Sequence, residues 1–211
     1  MDILLTDDEV RVLGCLMEKE MATPDYYPLS LNGLLNGCNQ KSNRNPVVSY
    51  DEETVIYAIN GLRERKLVRQ SSIGRVAKYE QTFAQDLKLV SREQAIICTL
   101  LLRGPQTVGE IRNRTERLYA FSNLDEVQKT IANLEDMELI CKMPRQPGRK
   151  ESRYAHLLSG QPQDTVAETS SQPAAGIVVD RSAKLQEQID DLRREMQNLQ
   201  AEFATFKSQF E

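Results

Sequence analysis

Two stretches of this chain carry the same order of helix signals, and that repeat limits the folds that the chain can adopt. Residues 6–9 read Thr-Asp-Asp-Glu, a capping box in which the threonine hydroxyl and the glutamate carboxylate satisfy free amides at a helix start. Residues 91–94 read Ser-Arg-Glu-Gln and repeat that start. Apolar residues follow at helical spacing in both places. The pattern predicts an internal duplication.

Both copies are predicted to contain three helices and then two strands joined by a basic loop. In the first copy we expect helices near residues 7–21, 30–38 and 50–65 and strands near 67–71 and 76–81. In the second copy we expect helices near residues 92–102, 108–116 and 124–138 and strands near 139–143 and 152–157. Three helices followed by a hairpin within about 75 residues is the order of a winged helix-turn-helix.

The sequence therefore predicts an α+β fold that is mainly α-helical with small β-hairpins. Two tandem winged helix-turn-helix domains, a linker and a C-terminal coiled-coil helix are expected at residues 1–85, 86–158, 159–182 and 183–211. The linker is rich in Gln, Ser, Thr, Pro, Ala and Gly, a composition that cannot bury enough apolar surface to fold.

The last segment has apolar residues at alternating steps of four and three, which is the heptad spacing of a coiled coil. The residues predicted to form the dimer seam are Leu185, Ile189, Leu192, Met196, Leu199, Phe203 and Phe206. A parallel homodimer is predicted, because a parallel pair sets Glu202 against Lys207 of the other chain, whereas an antiparallel pair brings like charges together. A single amphipathic helix that folds back on the domains, another oligomer and a partner protein's groove stay open as alternatives.

Three segments carry a family resemblance: Tyr-Pro-Leu-Ser-Leu-Asn at residues 27–32, Cys-Asn-Gln-Lys-Ser-Asn-Arg at 38–44 and Arg-Gln-Pro-Gly-Arg-Lys-Glu-Ser-Arg-Tyr at 145–154. They resemble the signatures of the YceH family of bacterial proteins. The resemblance extends to about residue 158 and implies a tandem winged-helix fold. It supplies no biochemical activity, so function is argued from the placement of charge.

Both predicted hairpins are basic. Residues 63–79 hold six cations against one acid, and residues 142–156 hold five against one. Wings of this kind lie along a duplex backbone in many complexes, where each phosphate contact releases counterions. The candidate nucleic-acid contacts are Lys41, Arg44, Arg69, Arg75, Lys78, Arg145, Arg149, Lys150 and Arg153. The competing interpretation is that these are solvated loop charges.

The starts of the third helices argue against ordinary major-groove reading. They carry Asp51, Glu52 and Glu53 in one copy and Asp125 and Glu126 in the other. Carboxylates there complement the helix dipole, but they repel phosphates when a helix docks by its N-terminus. Residues 1–158 carry equal numbers of acidic and basic residues, so the net charge of -4 lies in the tail.

The first copy has an additional asparagine-rich stretch, residues 32–46, before its third helix. Its amides and cations are of the types that contact bases and phosphates. Asparagine also caps helices and tolerates left-handed turns, and we favour this structural interpretation for the asparagines. Lys41 and Arg44 are the expected contacts.

Catalysis is the least favoured class of function. The chain has one histidine, His156, which excludes any site that needs two imidazoles from one chain. Its four cysteines are far apart in sequence, so they predict reduced, buried thiols and no zinc clamp. Because no Gly-rich phosphate loop or nucleophile elbow is present, no catalytic residue, metal or cofactor is predicted. A cytoplasmic location without membrane attachment is expected, since no signal peptide or spanning apolar run is found.

Two functional hypotheses follow. The first is a dimeric protein, with a possible regulatory role, that binds double-stranded DNA through its basic wings. The second is a protein-interaction or scaffold module in which the winged helices are docking surfaces and the coiled coil assembles the complex.

Overall fold

Two helices, α1 (Asp7–Ala22) and α5 (Ser91–Arg103), join the two copies in the computed structural model. The structure describes residues 4–71, 76–145, 148 and 151–162, all within one unit formed by residues 1–165. Residues 9–17 and 95–102 are buried. Each helix packs against its own copy and also against the other helix, so burial extends beyond the single face that the apolar spacing predicts.

A glycine lets these two helices approach closely. A Cβ atom built on Gly14 would lie 3.0 Å from Leu101 Cβ, and the Cys98 thiol donates to the Gly14 carbonyl at 3.5 Å. One hydrophobic cluster then includes buried side chains of both copies. The two copies therefore share a core.

The rest of the first copy surrounds α1. Its elements are a 3-10 helix (Pro24–Tyr26), β1 (Leu29–Ser30), α2 (Leu31–Cys38), α3 (Glu52–Glu64), β2 (Val68–Ser71), β3 (Lys78–Gln81) and α4 (Phe83–Asp86). The predicted capping box of Thr6 and Glu9 is present at the start of α1. The three strands form an antiparallel sheet in the order β1-β3-β2.

The second copy repeats this arrangement with shorter elements. After α5 come α6 (Val108–Thr115), α7 (Leu124–Asp136), β4 (Ile140–Lys142) and β5 (Tyr154–His156). Strands β4 and β5 are antiparallel, and Gln106 pairs with Tyr154 as Leu29 of β1 pairs with Tyr79 of β3. The residue after each of these short pairings caps the next helix: Ser30 accepts from Gly33 N–H and Thr107 from Glu110 N–H.

Backbone geometry supports the internal duplication. After α3 and after α7, a left-handed residue turns the chain into the hairpin, with φ 59° at Lys66 and φ 57° at Glu138. The next amide returns to the helix in both copies: Leu67 N donates to Leu62 O at 2.9 Å, and Leu139 N to Leu134 O at 3.0 Å. The chain thus makes the same helix-to-strand turn twice.

The predicted helices and strands of residues 1–158 are present, and their ends lie within two residues of the predicted positions. The 3-10 helix, β1 and α4 were not predicted. The start of α5 was predicted one residue late, because Val90 precedes the helix and its amide donates to Glu93 at 3.0 Å. The predicted linker from residue 163 onward, the coiled coil and its dimer seam lie outside the described residues.

Candidate nucleic-acid interface

A groove with a volume of about 840 Å³ lies between the end of α3 and strand β2. Asp51 caps α3 by accepting from Thr54 N at 2.8 Å, and the left-handed turn at Lys66 brings β2 back beside the helix. The cations that line the groove are Arg63, Lys66 and Arg69, and the carboxylates are Glu64 and Asp86. All three cations are exposed to solvent.

The three cations differ in their partners. Arg69 Nε donates to Glu80 Oε1 at 2.7 Å across the β2–β3 pair, and this hydrogen bond raises the pKa of Arg69. Arg63 and Lys66 have no carboxylate within 4.0 Å in the described part of the chain. Two of the three positive charges are thus available to an anion that enters the groove.

The second copy has no equivalent of this groove's charge. The residues that correspond to Arg63, Lys66 and Arg69 are Glu135, Glu138 and Cys141. Because Glu135 and Glu138 carry carboxylates, the same place in the second copy repels phosphate. Arg63 and Lys66 were counted in the basic segment at residues 63–79 but were not among the predicted contacts. Aligning the two copies would have distinguished them.

The cations that were predicted as contacts on the two hairpins differ in their exposure and partners. Arg69 and Lys78 lie on paired strands of the first copy, with Lys78 partly buried. Arg145 is exposed after β4. Arg153 instead donates to Pro105 O at 2.7 Å and pairs with Glu110 at 3.2 Å, so it ties the hairpin to α6. Arg75, Arg149 and Lys150 lie outside the described residues.

Arg44 is not a surface contact, contrary to the expectation from the sequence. Its side chain has no exposed area and donates to both carboxylate oxygens of Glu18, at 3.0 and 2.7 Å. The same guanidinium also donates to the Gly37 carbonyl at 2.8 Å. A buried arginine with these partners fixes the loop to α1, because its charge and hydrogen bonds are already satisfied. Lys41 is exposed in that loop and stays a candidate.

The asparagine-rich stretch is structural at two further points. Asn39 donates to Tyr50 O and accepts from Tyr50 N, both at 2.8 Å, which closes the loop. Arg11, which the sequence did not single out, is buried in α1 and donates to Pro46 O at 2.6 Å. Burial lowers the pKa of Arg11. The structural interpretation of the asparagines is supported at Asn39.

The carboxylates that begin the third helices also have structural roles. Glu126 accepts from Ser122 N and Tyr119 Oη, both at 2.9 Å, and the bond from Ser122 lowers the pKa of Glu126. Glu52, Glu53 and Asp125 remain exposed. The charge that disfavours docking by a helix N-terminus is therefore still present on the surface.

The described residues also limit other kinds of site. In this part of the chain, no group of three or more His, Cys, Asp or Glu side chains is placed to hold a metal ion. His156 has a buried Nδ1 atom with no hydrogen-bond partner, and burial lowers the pKa of the imidazole to about 4. Among the described helices, none is long and apolar enough to cross a membrane.

Comparison with known families covers both copies. Residues 5–149 match the family described as "Protein of unknown function, DUF480". The chain belongs to the DUF480 family. The DUF480 chain is 48% identical to a UPF0502 protein of Pelobacter propionicus and 49% identical to one of Solibacter usitatus, over the whole of both chains in each case. It is also 45% identical to a UPF0502 protein of Vibrio parahaemolyticus, over 99% of this chain and all of that one. These names state no activity.

Proposed function

We propose that the DUF480 chain binds the phosphate backbone of double-stranded DNA, and that the groove between α3 and β2 is its contact surface. The observation that carries this proposal is the pair of exposed, unpaired cations, Arg63 and Lys66, beside Arg69 on the adjoining strand. Cations on a helix end and a neighbouring strand suit two successive phosphates, which position a protein without reading bases.

The proposal includes the finer fold that the sequence suggested. Both halves have three helices followed by a hairpin, and the short β1 strand completes the first hairpin's sheet. This order supports tandem winged helices and the resemblance to the YceH family. In this proposal the first copy binds the DNA. The second copy, which has Glu135 and Glu138 at the corresponding positions, does not contact phosphate there. We place this activity in the cytoplasm.

Sequence-specific reading by the start of α3 is not part of the proposal. The exposed Glu52 and Glu53 lie where a recognition helix enters a major groove, and their charge opposes the phosphates on both sides. Backbone binding by the opposite end of α3 avoids that repulsion. We therefore expect similar affinity for duplexes of different sequence.

Fluorescence anisotropy with a labelled random duplex tests the proposal. The wild-type chain is expected to bind at low salt, and the double variant Arg63→Gln, Lys66→Gln is expected to bind about tenfold or more weakly, because two phosphate contacts are removed. The matched control is Arg112→Gln, Lys129→Gln, which removes two exposed cations from the second copy. Wild-type protein that fails to bind at low salt contradicts the proposal, as does an equal loss in the control.

A protein partner is the second candidate function. It is favoured by Ile56 and Tyr57, which are 39% and 85% exposed on α3 and place apolar area beside Glu52 and Glu53. An interface with an apolar centre and an acidic rim suits a partner with basic residues. If the chain serves such a partner and not DNA, the wild type does not bind the duplex at low salt, and this outcome separates the two functions in the same anisotropy measurement. If the groove binds DNA, Tyr57→Ala is expected to leave the duplex affinity unchanged.

A further inference from the structure

A second charged cleft shares no residue with the α3–β2 groove. It has a volume of about 870 Å³ and lies between the end of α1, the loop at residues 40–43, α5 and α6. Its cationic residues are Lys19, Arg103, Arg114 and Arg117, and its carboxylates are Glu18 and Glu116. The cleft thus lies where the two copies meet.

The lining carboxylates neutralise only part of this charge. Glu18 accepts from both terminal nitrogens of the buried Arg44 and lies 3.3 Å from Lys19 Nζ. Glu116, the other lining carboxylate, has no cation within 4.0 Å in the described part of the chain. Arg103 and Arg117 have no carboxylate within 4.0 Å among the residues that the structure describes. The cleft therefore has an excess of positive charge.

Two of the arginines are held in place by neutral side chains. Arg103 donates to the Asn43 side-chain oxygen, and Arg114 donates to that of Gln106. Arg114 also lies 3.5 Å from Glu110 on its own helix. Burial, and then the nearby charge of Arg114, lower the pKa of Arg103. An anion that binds between two such like charges offsets the repulsion between them.

The other residues that line the cleft are suited to the uncharged part of a ligand. Leu102 and Leu118 contribute apolar surface, and Asn113 and Thr99 contribute hydrogen-bonding groups. The volume falls within the range of about 300 to 1,000 Å³ that is typical of small-molecule sites. The three guanidinium groups supply more positive charge than a ligand with a single carboxylate would neutralise. Their planar donors fit phosphate oxygens in pairs.

We propose that this cleft binds a small phosphate ester of nucleotide size, with its phosphate groups on Arg103, Arg114 and Arg117 and its uncharged part against Leu102 and Leu118. The cleft is a ligand site separate from the duplex groove. Because the end of α1 and the loop at residues 40–43 also line the cleft, the ligand lies where the two copies meet.

Isothermal titration calorimetry with ADP and with pyrophosphate tests this inference, and adenosine serves as the uncharged probe. Both phosphates are expected to bind the full chain, and adenosine is expected to bind far more weakly. The double variant Arg103→Gln, Arg117→Gln is expected to lose about tenfold or more in ADP affinity, since two charge-assisted contacts are removed. Arg117 is exposed, so Arg117→Gln alone weakens ADP binding without disturbing the Arg103 contact to Asn43.

The matched control is Arg112→Gln, which removes an exposed arginine of α6 that does not line the cleft. Absence of binding by both phosphates at millimolar concentration overturns the inference, and so does an equal loss of affinity in the control. The variant Arg63→Gln, Lys66→Gln is expected to keep its ADP affinity. If duplex binding, rather than ADP binding, is lost in the Arg103 and Arg117 variant, the cleft belongs to the DNA surface and the inference is wrong.

Discussion

Buried and exposed arginines have different roles in this molecule. Arg11 and Arg44 are buried and donate to carbonyl groups and to Glu18, so they hold the loop at residues 39–46 against α1. Burial raises the pKa of Glu18, but the hydrogen bond and charge of Arg44 more than offset this, and the net pKa is lowered. Arg63 is exposed and has no carboxylate within 4.0 Å among the described residues, so it can bind an anion, whereas the exposed Arg69 pairs with Glu80.

Replacing Arg44 tests its structural role. Arg44→Ala removes the partner of Glu18 and leaves the Gly37 carbonyl without its donor, so the free energy of unfolding is expected to fall by about 3 kcal/mol. Lys41→Ala, three residues earlier in the same loop, is expected to change it by less than about 0.5 kcal/mol because Lys41 is exposed. Urea denaturation followed by circular dichroism measures both. Similar losses in the two variants would mean that Arg44 has no special role.

His156 is expected to make stability depend on pH. Its pKa is about 4 in the fold and 6.5 in the unfolded chain, because burial disfavours the imidazolium. Above pH 6.5 both states are neutral and the difference has no effect. Between pH 6.5 and 4 the unfolded chain binds a proton that the fold does not, so the free energy of unfolding falls as the pH falls.

The measurement is urea denaturation of wild type and His156→Gln at pH 7.5 and pH 5. Wild type is expected to lose about 2 kcal/mol more than the variant between these two values. Carboxylates titrate alike in both proteins and cancel in the comparison. Parallel losses would show that the imidazole is not buried in its neutral form.

At the scale of the elements, helices meet through glycine. Gly37 of α2 lies against α1, and a Cβ atom at this position would overlap the buried Cys15 Sγ. A Cβ atom built on Gly109 of α6 would have no other atom within 4 Å. The two glycines therefore have different reasons for their presence.

Alanine at these two positions is expected to have effects of opposite sign. Gly37→Ala overpacks the contact between α1 and α2 and is expected to destabilise the fold by about 2 kcal/mol. Gly109→Ala is expected to stabilise it by about 0.5 kcal/mol, because alanine favours the helix and meets nothing. Thermal unfolding measures both. A stabilising Gly37→Ala would contradict the close contact of the two helices.

Element positions could be predicted from the sequence because they depend on local signals. Capping residues such as Thr6 and Thr107 mark helix starts, and apolar spacing marks the buried faces. The charged site could not be predicted as well. The partner of Arg44 is Glu18, 26 residues away on α1, and only the folded chain brings the two together. Strand β1 was missed because two residues give no alternating pattern.

At the scale of the whole molecule, the shared core makes the two copies one structural body in residues 1–165. The two copies carry opposite charge at corresponding positions, with Arg63 and Lys66 in the first copy and Glu135 and Glu138 in the second. Of the two copies, the first carries the cations of the proposed duplex surface, so a second surface of that kind would come from a second chain.

Removal of residues 183–211 tests that second chain. The heptad spacing predicts a parallel homodimer, so the full chain is expected to sediment as a dimer and the truncated chain as a monomer. Pairing two chains also raises the affinity for a long duplex, because the second contact becomes intramolecular. Sedimentation equilibrium gives the mass directly, and a monomeric full-length chain would contradict the prediction.

Contact between the α3–β2 groove and duplex phosphates is tested most directly by the salt dependence of duplex binding. Each phosphate that is neutralised contributes about -0.9 to the slope of the logarithm of the binding constant against the logarithm of salt concentration. For Arg63→Gln, Lys66→Gln, the slope is expected to be shallower than that of wild type by about 2. For Arg112→Gln, Lys129→Gln, it is expected to equal that of wild type. Equal slopes for wild type and the groove variant would contradict the claim.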